Sequence, residues 1–134
     1  MLKKINHLGI AVNDLEKAVE VFTKAFNLKV GGIEEVESQK VRVAFLPIGE
    51  SRIELLEPTS EDSTIAKFLS SRGEGIHHVA FETDSVVESL KIAESQGLRL
   101  IDKEPRPGAH GTKVAFLHPR STCGVLIELV EESV

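Results

Sequence analysis

Two hydrophobic periods alternate along the chain. From Ile5 to Val12, INHLGIAV, a period of two places Ile5, His7, Gly9 and Ala11 on one face and Leu8, Ile10 and Val12 on the other, which predicts a strand buried on both faces. Asn13 and Asp14 then offer capping oxygens, with Glu16 three residues after Asn13. Leu15, Ala18, Val19, Phe22 and Phe26 recur at the spacing of one helix face and predict an amphipathic helix to Phe26. Gly31 and Gly32 break that pattern. KVRVAFLPIG from Lys40 and RIELLE from Arg52 read as strands, with a turn over Gly49 to Ser51.

The same order returns in the second half. Ile76 to Thr83 predicts a strand, Ser85 with Glu88 a capping box, and Val86, Leu90 and Ala93 a helix that Gly97 ends. Strands are predicted at Leu98 to Ile101, Lys113 to Leu117 and Val125 to Val130, with the loop EPRPGAHGTK among them. His7 and His78 are 71 positions apart, as are Ile5 and Ile76, while RIELLEP and LIELVEE are 74 apart. Between the halves, Ser63 caps a short helix that ends near Gly73. The expected fold is α+β: two tandem βαβββ modules, about 4–58 and 75–131, joined by a linker helix within 59–74. Neither half can bury both faces of its own sheet, so a single domain over 1–134 is expected to pair the sheets around a shared cleft.

Composition narrows the function. The 134 residues are 41% apolar and 28% charged, as in a globular domain, and no apolar run reaches the roughly 18 to 20 residues of a membrane span. The lysines before a short apolar stretch at the N-terminus lack a cleavage site, so no signal peptide is read and the cytoplasm is the expected compartment. A single cysteine, Cys123, excludes an internal disulfide and is read as a bystander. A net charge of −5, with six Phe but neither Trp nor Tyr, argues against a nucleic-acid partner.

Each repeat carries a histidine on its first strand and a glutamate on its last: His7 and Glu54, then His78 and Glu128. If the duplication folds symmetrically, two imidazoles and two carboxylates converge, and the cleft binds a divalent ion of intermediate hardness such as Zn, Co, Ni, Mn or Fe. Blander readings stand beside this one. Arg52 shares a face with Glu54, which suits a solvated carboxylate. Leu126 and Val130 flank Glu128, where an unpaired carboxylate costs several kcal/mol and calls for a cation or a proton. His77 falls on the face opposite His78, and His118 before Pro119 reads as structural.

HLGIAVNDLEKAVEVF with RIELLEP, and IHHVAF with FLHP and GVLIELVE, resemble the vicinal oxygen chelate superfamily, whose paired βαβββ modules surround one metal. Within it, ESRIELLEP, EDSTIAKFLSSRGEGIHH, GAHGTKVAFLHP and GVLIEL resemble the methylmalonyl-CoA epimerase family, over about Lys4 to Glu131. The resemblance implies one divalent metal ion (Co, Zn, Mn, Ni or Mg) on His7, Glu54, His78 and Glu128, where some members have Gln at the second position. It also implies an acyl-CoA substrate, a homodimer, and interconversion of (R)- and (S)-methylmalonyl-CoA through a metal-stabilised enolate, with Glu128 as one acid/base. Some members carry a further glutamate on the strand matching KVRVAFLP, where this chain has Arg42 or Val43. The second role would pass to Glu54 or to a water held by Gln39, itself otherwise an ordinary polar residue at the start of a strand. Gly108, His110 and Gly111 are expected to border the substrate, and Arg106, Lys113 and Arg120 are candidates for the CoA phosphates. A glyoxalase I-like lyase would use nearly the same ligand set on a glutathione hemithioacetal. An extradiol dioxygenase would leave Glu54 without a duty, and a metal-free binding protein would use none of the ligands.

Overall fold

The computed structural model describes residues 1–133, which divide into two compact units: residues 7–77, and residues 1–6 with 78–133. The first strand, β1 (Leu2–Ala11), contributes to both, because the division falls between Asn6 and His7. Each unit has the order βαβββ. The first comprises the end of β1, α1 (Leu15–Phe26), β2 (Gly32–Val36), β3 (Val41–Ile48) and β4 (Ser51–Pro58), followed by α2 (Thr64–Arg72). The other comprises β5 (Gly75–Thr83) from His78 onward, α3 (Val86–Ser95), β6 (Arg106–Pro107), β7 (Lys113–Leu117) and β8 (Ile127–Glu131). Their strand orders correspond, β2-β3-β4-β1 and β6-β7-β8-β5.

Strand alternation sends one face of each sheet to a helix and reserves the other. In the first unit Val12, Leu15, Ala44, Leu46 and Leu55 are fully or nearly fully buried together, with Ala18, Val19 and Phe22 of α1 against them. In the second, Val86, Leu90 and Ala93 of α3 pack on Ala115, Leu117 and Leu129. The helix starts match too. The Leu15 N–H donates to Glu57 Oε2 at 2.8 Å, and the Val86 N–H donates to Glu131 Oε1 at 3.0 Å. Thus the second glutamate of RIELLEP and of LIELVEE points to the helix side and satisfies a backbone donor left over at a helix N-terminus.

Ser63 and Ser85 are N-caps as expected, accepting from the Ala66 and Glu88 N–H groups. For α1 the cap is Asp14, which accepts from the Lys17 N–H, whereas the Asn13 N–H donates to Glu74 Oε2. Several expectations need correction. Ile5 and Ile76 are 46% and 59% exposed, so burial of the first strand on both faces begins only at Asn6. Phe26, 62% exposed, closes α1 by stacking on Phe22 rather than by entering the core. Gly32 opens β2 instead of ending an element. No strand spans Leu98 to Ile101: Leu100 makes one isolated bridge to Leu117, and Asp102 Oδ2 accepts the Phe116 N–H at 2.9 Å, so a side chain takes over the ladder. The short edge strand β6 lies inside the predicted loop, where prolines at 105 and 107 keep it to two residues.

Candidate active site

The sheet face turned away from each helix holds the repeated polar residues at equivalent register. In the first unit Gly9 pairs with Glu54 across parallel strands β1 and β4, and Phe45 pairs with Glu54 across antiparallel β3 and β4. In the second, Ala80 pairs with Glu128 and Phe116 pairs with Glu128. The histidine stands two residues before Gly9 or Ala80, on the same face. His7 Nδ1 therefore lies 3.2 Å from Glu54 Oε2, and His78 Nε2 lies 2.9 Å from Glu128 Oε1. All four residues are only 4–6% exposed. Burial on this scale is unfavourable for a carboxylate unless charge or hydrogen bonds compensate it, and each pair supplies an imidazole for that purpose.

The surroundings separate the two halves. Arg52 Nε donates to Glu54 Oε2 at 2.8 Å, and its guanidinium lies 5.5 Å from the centre of the Phe45 ring. The solvated reading of Glu54 is thereby corrected: Arg52 does share its face, yet the carboxylate is buried and the half-buried arginine hydrogen-bonds to it. In the second unit a guanidinium again lies over the equivalent phenyl, Arg106 at 5.2 Å from the Phe116 ring centre. Arg106 pairs with Asp102, at 3.4 Å, rather than with the site glutamate. The Phe116 and His78 rings meet in a T-shaped contact at a centroid separation of 5.7 Å. Phe45 and Phe116 are neighbours of the two glutamates that the residue patterns did not single out. Their 71-residue offset, the same as that of His7 and His78, is the signal that could have found them.

The remaining predicted residues fall elsewhere. His77 points away from His78 and makes an edge contact with Phe68 at 5.0 Å. His118 caps a 3-10 turn, its Nδ1 accepting from the Arg120 N–H, in keeping with a structural role. Gln39 ends a 3-10 turn before β3, six positions ahead of the residue opposite Glu54. Arg42 lies on the α1 side of β3, where it donates to Glu57 and to both oxygens of Glu16 at 2.8–3.1 Å. The hydrogen bonds from Arg42, followed by one from the backbone, hold the Glu16 carboxyl below its ordinary range. On the site face β3 carries Val43 and Phe45, so this strand offers no second carboxylate there.

His110 and Gly111 form a tight turn with φ of +56° and +74°. The His110 side chain is exposed. Gly108 is required by packing: a Cβ there would lie 2.5 Å from Thr112 Oγ1 and 2.7 Å from Val114 Cγ1. Thr112 is itself tied to the Ala109 carbonyl at 2.8 Å and has little room to yield. Gly108→Ala is expected to destabilise the fold by about 1–3 kcal/mol, the range of overpacking. A lowered denaturant midpoint with unchanged slope checks this, and an unchanged midpoint would show that the turn relaxes freely.

Known proteins resemble the chain over nearly its full length. The profile of the Glyoxalase/Bleomycin resistance protein/Dioxygenase superfamily matches residues 6–116. The ethylmalonyl-CoA/methylmalonyl-CoA epimerase of Cereibacter sphaeroides is 37% identical over 96% of this chain and 98% of its own length. The mitochondrial methylmalonyl-CoA epimerase of Bos taurus is also 37% identical, over 96% of this chain and 74% of its own. Among solved structures, a variant of the Streptomyces coelicolor methylmalonyl-CoA epimerase in complex with 2-nitronate-propionyl-CoA superposes with a TM-score of 0.97 at 41% identity, covering 100% of this chain and 97% of that one.

Proposed function

Because the chain belongs to the Glyoxalase/Bleomycin resistance protein/Dioxygenase superfamily, we propose that it interconverts (R)- and (S)-methylmalonyl-CoA in a metal-dependent reaction. The observation that carries this reading is the duplicated buried His–Glu pair, set at the same register in both units. The C. sphaeroides and Bos taurus relatives and the S. coelicolor structure, each named as an epimerase, favour it over a glyoxalase I-like lyase. A homodimer in the cytoplasm accompanies the reading, and no helix among the described residues is long and apolar enough to cross a membrane.

His7, Glu54, His78 and Glu128 would together hold the metal. The donor chemistry fits: imidazole nitrogens and carboxylate oxygens, all buried, suit Co, Zn, Mn, Ni or Mg to different degrees and do not single one out. A bound divalent ion supplies Lewis acidity, stabilising the negative charge that develops when the weakly acidic C2 proton leaves. The chain's own residues do the rest. Glu128 accepts the C2 proton from one side, with the His78 imidazole 2.9 Å away to orient its carboxylate. Glu54, held by Arg52 and His7, is the remaining buried carboxylate of the repeat and takes the opposite side. The apolar walls from Phe45, Val43 and Phe116 exclude water around the carboxylates of their respective units.

The test is to incubate either stereoisomer of methylmalonyl-CoA with the metal-supplemented protein in D2O. Deuterium at C2 together with inversion is the expected result. Neither change, or turnover of a glutathione hemithioacetal in its place, would sink the epimerase reading.

A further inference from the structure

Resting on the metal reading above, we propose that Arg52 is a positioning residue that sets the charge of the site. By offsetting Glu54 it makes the donor set grip a divalent ion less tightly, and it leaves the loaded site positive toward an anionic substrate. The repeat supplies the comparison. At the 74-residue offset that relates Glu54 to Glu128, Arg52 corresponds to Leu126. A cation two residues before the strand glutamate is thus confined to one half of the duplication. In the other half the guanidinium of Arg106 pairs with Asp102, so it adds no net charge beside Glu128.

The fold fastens Arg52 from several sides. It stands opposite His7 in the parallel register of β1 and β4 and two residues before Glu54, so all three share one face of the sheet. Its Nε donates to Glu54 Oε2 at 2.8 Å, the oxygen that His7 Nδ1 approaches at 3.2 Å. Phe45, the β3 partner of Glu54, has its ring centre 5.5 Å from the guanidinium. A planar guanidinium suits both contacts, bonding in its plane and stacking on the ring. The Arg52 side chain is 24% exposed and that of Glu54 7%, so water screens the pair only in part.

Metal ligation takes neutral imidazole and ionised carboxylate. Of His7, Glu54, His78 and Glu128, only the two glutamates then carry charge, minus two in all, and Arg52 reduces the sum to minus one. A divalent ion brings it to plus one, which attracts a ligand that carries a carboxylate. With leucine at position 52, as at 126, the ion would meet the full charge of minus two, and the loaded site would be neutral.

Calorimetric titration of the chelator-treated protein with Co²⁺ tests the assignment. R52L is expected to bind Co²⁺ about tenfold more tightly than the wild type, because a repelling cation is gone. R52K keeps the charge and should return to wild-type affinity, while K24Q, on an exposed face of α1, should match the wild type. Damage to the fold does not raise affinity, which separates this outcome from a merely structural role. R52L leaves a buried carboxylate short of a partner, so R52L/E54Q is compared with E54Q as well, and the same tightening is expected. In the loaded enzyme, KM for methylmalonyl-CoA should rise about threefold or more in R52L and recover in R52K. Failure of R52L to bind Co²⁺ more tightly overturns the proposal; should that variant not fold, failure of R52L/E54Q against E54Q does so. No recovery in R52K, or equal tightening in K24Q, overturns it too. No Co²⁺ uptake by the wild type would sink the proposal together with the metal reading beneath it. The titration reads no turnover, so absent C2 exchange with the affinity order intact would sink the epimerase reading and leave the charge role of Arg52 standing.

Discussion

Glu128→Gln is expected to abolish stereochemical inversion of methylmalonyl-CoA in both directions, by a factor of roughly 10²–10⁴, the usual contribution of a positioned general acid or base. The substitution nearly preserves shape and leaves an amide that can still accept from His78 Nε2, 2.9 Å away in the native protein. Folding should survive, which a melting curve can check. The proposed division of roles between Glu128 and Glu54 makes a sharper prediction. With Glu128 neutralised, one stereoisomer still presents its C2 proton to Glu54, so solvent exchange should persist for that isomer and be lost for the other. Exchange and inversion both within a few-fold of the wild type would remove Glu128 from the chemistry.

Removing the metal should cost more than removing either carboxylate, because Lewis-acid stabilisation serves proton transfer on both faces. Protein treated with a chelator is expected to lose exchange and inversion with both stereoisomers, and to regain them when a divalent ion is restored. A second readout does not depend on activity. Ligand binding to the folded state alone stabilises it by about 2.7 kcal/mol at a concentration one hundred times Kd, so a metal-dependent rise in Tm is expected. His7→Ala and His78→Ala should each weaken that rise, since each deletes one nitrogen donor. Absence of both metal uptake and any Tm change would instead support a metal-free binding protein on the same scaffold.

The hydrophobic alternation and the repeat offsets carried much of this architecture in plain view. Helices α1 and α3, the serine caps at 63 and 85, and the strands around Phe45, Leu55, Ala115 and Leu129 are local signals, because a period of 3.6 or 2 and a capping oxygen act within a few residues. The 71- and 74-residue offsets extended that legibility to the paired His and Glu positions. Choices between neighbours were less legible. Asn13 and Asp14 are equally good caps by type, and only the chain direction set by Glu74 and Glu57 distinguishes them. Leu98 to Ile101 has the composition of a strand, but a ladder needs an available partner, and Asp102 already holds the Phe116 N–H.

The sequence alone was enough for the repeated fold order and for which four residues recur. Whether a strand glutamate is solvated or buried was decided by tertiary structure, and Glu54 shows why. Locally it stands two residues from an arginine, a pattern equally suited to a wet surface. In the fold, the neighbouring strands bring His7 and Phe45 over it, and Arg52 turns inward to compensate a charge that water no longer reaches. The same holds for the second glutamate of each repeat. Glu57 and Glu131 differ from Glu54 and Glu128 only by three positions along a strand, yet that odd interval sends them to the opposite face and to helix caps. Periodicity assigns a residue to a face, but desolvation and the groups that offset it come from segments far away in the chain.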